Sequence, residues 1–225
     1  MGMRAKLLTE AVGSFVFMSV IALASGNLAP VAIGLGLAAM VYMGGHVSGA
    51  HYNPAVSFGL YLRRVIDART MISYWAAQVG GGVLAFTFAN AVSGRTPGIH
   101  PGAGVFWLSA LGGEVAFTAA LVLVVLNVAA TKETAGNSFY GIAIGFTVAA
   151  GAFAMGPISG AAFNPAVGLG ATLVAALAAH GSWSDLWIYL AGPLAGAAIG
   201  AGVHAVQTPA VPVQPEKSER LPPQA

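Results

Sequence analysis

Six runs of about 20 apolar residues, near 7–28, 31–49, 70–93, 105–129, 139–157 and 185–206, leave this 225-residue chain few ways to fold. A helix of about that length crosses a hydrocarbon core of roughly 30 Å, and within lipid only helices and closed barrels satisfy every backbone polar group. The expected fold is therefore an all-α membrane protein with six transmembrane helices. Composition agrees: 7% of the residues are charged, against roughly 25% in a soluble domain. The 31 glycines suit helices that pack closely against one another. A formal charge of +2, scattered over many loops, forms no basic stripe for nucleic acid. With no cysteine, disulfides, thiolate nucleophiles and Cys-ligated metals are excluded. Arg4 and Lys6 ahead of the first run resemble the start of a secretory leader. That run is longer than a leader's apolar region of about 7–15 residues, and Glu10 interrupts it, so a retained first helix is expected.

The chain also repeats itself. Ser48-Gly49-Ala50-His51-Tyr52-Asn53-Pro54-Ala55-Val56 recurs as Ser159-Gly160-Ala161-Ala162-Phe163-Asn164-Pro165-Ala166-Val167, identical at seven of nine positions. Each copy follows the second run of a three-run half, and each half has a glutamate early in its first run, Glu10 and Glu114. Three is odd, so the halves insert with opposite topology about a two-fold axis in the membrane plane. We read one membrane domain over 1–206, with repeats 5–93 and 105–206, followed by a Pro-rich tail, 207–225, that cannot bury enough apolar surface to order itself.

Two apolar stretches are too short to span. They begin at Asn53 and Asn164, last about ten and fifteen residues, and carry Pro54 and Pro165 at the first helical position, where no N–H is needed. Re-entrant half-helices are expected. Basic residues support this, because with the N-terminus cytoplasmic Arg4, Lys6, Arg63, Arg64, Arg69, Lys132, Lys217 and Arg220 all lie inside and only Arg95 outside. A half-helix that starts at the bilayer midplane exposes unpaired N–H groups and about half a positive charge there. Asn53 and Asn164 are suited to cap these starts through their side-chain oxygens while presenting NH₂ donors to the lumen. A water offering its oxygen to both breaks the donor chain for proton hopping, and the positive helix ends repel cations.

The two motifs, Ser-Gly-Ala-His-Tyr-Asn-Pro-Ala-Val and Ser-Gly-Ala-Ala-Phe-Asn-Pro-Ala, in a chain of six runs resemble the major intrinsic protein family, the aquaporins and aquaglyceroporins, over residues 5–206. The resemblance implies a right-handed bundle of six tilted helices and two half-helices, a homotetramer with one pore per subunit, and the pore motifs Asn53-Pro54-Ala55 and Asn164-Pro165-Ala166. It implies that Glu10 and Glu114 brace the loops carrying these motifs. Proton coupling is the rival role for an intramembrane carboxylate. It places the selectivity filter at Ile33, Ala152, Ala161 and Val167. Here the chain departs from the family, because Val167 stands where the pattern has Arg. The implied ring is wide and apolar, favouring glycerol, urea or undissociated metalloid hydroxides such as arsenite beside water, as in arsenic-associated bacterial members. A strictly water-selective pore is the alternative.

His46 matches the family's pore-lining histidine, whereas His51 is expected to brace its own loop. His100, His180 and His204 lack the spacing of metal ligands. Gly192, Gly196 and Gly200 form a ridge for close helix contact. Trp75, Trp107, Trp183 and Trp187 fall near the ends of runs, as interface anchors do. Secondary transporters share inverted repeats but need ionisable groups at the substrate site, and only two glutamates are available. No catalytic constellation lies at membrane depth, so neither an enzyme nor a cofactor is expected. The short loops and retained first helix point to a bacterial inner membrane.

Overall fold

A computed structural model describes residues 1–96 and 98–208. Beyond Thr208, the tail expected to be disordered lies outside the described residues. Among the described residues eight α-helices follow in order: α1 (Met3–Leu23), α2 (Ala29–Ser48), α3 (Pro54–Leu62), α4 (Ala68–Ser93), α5 (Trp107–Val125), α6 (Tyr140–Ser159), α7 (Pro165–Ala179) and α8 (Leu186–Gln207). A π-turn, Leu126–Ala130, extends α5, and a 3₁₀ turn follows at Lys132–Thr134. This is an all-α membrane fold of six long helices and two half-helices. Five of the long helices have the length and composition of a span. The other, α4, is the longest at 26 residues, but Gln78, Thr87 and Asn90 make it more polar.

Local chemistry sets the ends. Asn53 caps α3 by accepting from the Ala55 N–H, and Asn164 caps α7 by accepting from the Ala166 N–H, with Pro at the first position of each. At 9 and 15 residues, α3 and α7 rise about 14 and 22 Å, short of a core of roughly 30 Å. Asp67 caps α4 through the Thr70 N–H. Gly49, Gly94 and Gly160 close α2, α4 and α6 in the left-handed conformation. The first helix differs from its expected bounds: it starts at Met3 and stops at Leu23, because Gly26 turns the chain with φ 75° before Pro30 opens α2.

The bundle is closed by backbone-to-backbone crossings at glycine. On α8, a Cβ at Gly200 would lie 2.6 Å from the Ala119 carbonyl oxygen of α5, and one at Gly192 would lie 2.7 Å from the Glu114 Cβ. A Cβ at Gly196 would overlap the Val115 carbonyl oxygen. The same device joins α4 to α1, where Gly81 faces the Ala11 carbonyl, and α2 to α6, where Gly34 faces Gly145. Gly196→Ala is thus expected to force α5 and α8 apart at a cost of roughly 1–3 kcal/mol, read as a lower melting temperature in detergent. Gly202→Ala, whose Cβ would meet nothing within 4 Å, serves as the control and leaves the melting temperature unchanged.

Candidate functional site

The two repeated loops meet at the centre of the bundle with matched geometry. In the first, Glu10 accepts from Ser48 Oγ (2.6 Å), the His51 N–H (3.0 Å) and the Tyr52 N–H (2.7 Å). In the second, Glu114 accepts from Ser159 Oγ (2.7 Å), the Ala162 N–H (3.0 Å) and the Phe163 N–H (2.6 Å). Both carboxylates are fully buried. Tyr74 and Tyr189 donate their hydroxyls to the Ser48 and Ser159 carbonyls at 2.7 and 2.6 Å. Held this way, the loops keep non-glycine residues at positive φ: Ala50 at 53°, Tyr52 at 50°, Ala161 at 53° and Phe163 at 49°. Such backbone costs roughly 1–3 kcal/mol per residue and persists only where its surroundings over-determine it. The carboxylate bonds supply that constraint.

Each asparagine also reaches across the two-fold axis. Asn53 Nδ2 donates to the Phe163 carbonyl at 2.8 Å, and Asn164 Nδ2 donates to the Tyr52 carbonyl at 3.0 Å. An amide nitrogen has two hydrogens, so one stays available while the oxygen caps the helix. Both asparagines line a central cavity of about 190 Å³ that opens away from the N-terminal face. Ile33, Ala152 and Ala161 line it too. Val167, expected in the same ring, does not: its side chain is fully buried in the core. A valine ends two bonds beyond its Cα and cannot extend from this backbone position to the lumen as the long side chain of an arginine could. Phe17 and Ile21 of α1 and Phe163 contribute lining that the motif spacing does not indicate.

A second cavity, about 430 Å³, opens on the N-terminal face and is lined by His46, Gly45, Lys132, Asn137 and Tyr140 among others. His51 both lines the central cavity and ties its loop to α3 through Ser57 Oγ, 2.9 Å from Nδ1, with its ring edge-on to Tyr74. The halves are not identical here. Gln78 donates to Glu10 Oε2 at 2.9 Å and to Ser57 Oγ at 3.0 Å, whereas four residues beyond Tyr189 the chain has Pro193. Two further side chains hold the framework around the site. Trp75 donates its indole N–H to the Pro54 carbonyl at 2.9 Å and so holds the first half-helix. Buried His204 accepts at Nδ1 from Arg63 Nε at 3.0 Å and bonds Thr131 Oγ1 at 2.8 Å through Nε2. The only sequence signal for these bracing residues was the repeat itself, which contains Ser48 and Ser159. The tyrosines, Gln78 and Arg63 lie outside it.

A family model described as major intrinsic protein matches residues 3–204. The chain belongs to the major intrinsic protein family. Its members are passive channels for small neutral solutes, not enzymes, and the chain is an integral multi-pass membrane protein. It is 36% identical over 202 residues to probable aquaporin TIP3-2 of Oryza sativa subsp. japonica, covering 88% of this chain and 74% of that one. It is 36% identical over 181 residues to aquaporin TIP1-1 of Arabidopsis thaliana, covering 79% and 70%. The fold is that of the X-ray structure of the aquaglyceroporin from Plasmodium falciparum, with a TM-score of 0.80 at 20% identity, over 90% of this chain and 96% of that one.

Proposed function

We propose that this major intrinsic protein is a wide neutral-solute pore, passing glycerol, urea or metalloid hydroxides such as arsenite together with water. The observation that carries the proposal is the central cavity's lining. Around Ile33, Ala152 and Ala161 it is aliphatic, small or aromatic, and among the described residues no Asp, Glu, Lys or Arg faces it. Two alanines and the nearby Gly156 and Gly160 leave room that a ring with larger side chains would fill. The polar groups of Asn53 and Asn164 stand behind this ring, one free amide hydrogen each, as donors to the solute's oxygen. Ion exclusion then rests on the two positive half-helix ends. Glu10 and Glu114 serve as braces: every hydrogen bond they accept comes from a loop residue, from its serine or from Gln78, and they stand fully buried outside the lumen lining.

The face carrying Arg4, Lys6, Arg63, Arg64, Arg69 and Lys132 is cytoplasmic in this reading, by the excess of positive charge on it, and the membrane is a bacterial plasma membrane. Four copies assemble side by side, each with its own pore; large apolar side chains facing outward, such as Leu35, Phe146 and Phe153, are available to lipid or a neighbouring copy. The test is stopped-flow light scattering of vesicles holding the purified protein under glycerol, urea and arsenite gradients. Flux of at least one solute well above that of empty vesicles is expected, and Ala152→Phe returns it to the empty-vesicle rate while water flux persists. Water flux alone in the unaltered protein would replace this reading with a water-selective pore.

A further inference from the structure

The two cavities share one lining residue, Ile144. Along α2, Leu37 lines the central cavity and Val41 the cytoplasmic vestibule; along α5 and its π-turn, Val125 lines the first and Val128 the second. On α6, Val148 lies on the central side, Tyr140 on the vestibule side, and Ile144 between them on both. The lumen therefore passes from one cavity to the other between a collar of Leu37, Val41, Val125 and Ile144 and the first loop, where Gly49 lines the vestibule and His51 the central cavity. Their exposures are 5%, 2%, 6% and 5%, so they are already in contact with one another or their neighbours. All four side chains are aliphatic and offer no hydrogen bond.

Ile144 has no room to withdraw. The next residue, Gly145, sits against α2, where a Cβ on it would come within 2.8 Å of the Ala38 Cβ and overlap the Gly34 carbonyl oxygen. From the other side, a Cβ on Gly34 would lie 2.6 Å from the Gly145 oxygen. With α2 and α6 locked backbone to backbone, Ile144 is held where the two cavities meet. At the level of Ile33, Ala152 and Ala161 the lining instead includes two alanines and two glycines.

We infer that Ile144 sets the size and polarity limit of this pore, in an aliphatic collar on the cytoplasmic side of the paired asparagines, and that the outer ring does not. This rests on the channel reading above and deepens it. A solute crossing the collar gives up hydrogen bonds to water that the four aliphatic side chains do not replace, the cost on which hydrophobic constrictions operate.

The test compares vesicles containing the unaltered protein, Ile144→Ala, Ile144→Trp and Ile33→Ala under glycerol and osmotic gradients. Each protein is first checked for its elution as a single species in detergent. For Ile144→Ala, glycerol flux is expected to rise about tenfold, equal to about 1.4 kcal/mol off the barrier, and several times more than in Ile33→Ala. Ile144→Trp is expected to stop both glycerol and water. If Ile33→Ala raises glycerol flux and Ile144→Ala does not, the limit lies in the outer ring and the inference is overturned. Glycerol flux in Ile144→Ala but not in the unaltered protein would uphold the collar and defeat the wide-pore proposal. Absence of water and solute flux in every arm would overturn both.

Discussion

Glu10→Leu is expected to yield no stable channel. Leucine leaves Ser48 Oγ, the His51 and Tyr52 N–H groups and one Gln78 N–H without the acceptor they share at 2.6–3.0 Å. Each buried donor left unsatisfied costs about 1–3 kcal/mol, so the four together approach or exceed the roughly 5–15 kcal/mol by which a typical protein is stable. The left-handed backbone at Ala50 and Tyr52 also loses its constraint. Glu114→Leu removes three such bonds instead of four, because Pro193 takes the place of a second glutamine. It should therefore damage the protein less. Fluorescence-detected size exclusion after heating measures both variants against the unaltered chain. A monodisperse Glu10→Leu protein melting within a few degrees of the unaltered one would show that the carboxylate is not what holds the loop.

Asn53→Asp should be nearly as severe, for a different reason. The new carboxylate keeps the oxygen that caps α3, but its second oxygen replaces the amide that donates to the Phe163 carbonyl at 2.8 Å. Donor and acceptor become two facing acceptors, one of them charged, at a site 5% exposed. Removing the partner of a buried polar group costs about 1–3 kcal/mol, and more where a charge is involved, so a loss of about 3 kcal/mol or more is expected. Asn164→Asp should match it, since Asn164 makes the mirror-image bond to the Tyr52 carbonyl and is 2% exposed. Solute flux should fall with stability in both. Thermal melting of the two variants reads the symmetry directly, and a large effect in one with none in the other would show that the cross-axis bonds are not equivalent.

The elements themselves were legible because their signals are local. A run of about 20 apolar residues can satisfy its backbone in lipid only as a helix, and Asn followed by Pro starts a helix through groups two residues apart. Seven matches in nine positions revealed the duplication. An odd number of spans per half then required the inverted pairing. Which residues face the lumen was not legible in the same way, because these helices are apolar on every side and carry no polar stripe marking a direction. Of the four filter positions implied by the family resemblance, Ile33, Ala152 and Ala161 line the central cavity, whereas Val167 is buried in the core. Nothing near Trp75 in sequence names its acceptor, the Pro54 carbonyl 21 residues earlier, and the partners Arg63 and His204 are separated by 141 residues.

Local signals alone establish six spans, two half-helices entering from opposite faces, and an asparagine cap at the start of each half-helix. It took the packing of the folded chain to make those asparagines grip each other's loops and to set Ile144 where the two cavities meet. The reason is distance along the chain. Gly34 and Gly145 are 111 residues apart, and until their backbones touch, no property of either segment says which side of α2 or α6 will become the wall of a pore.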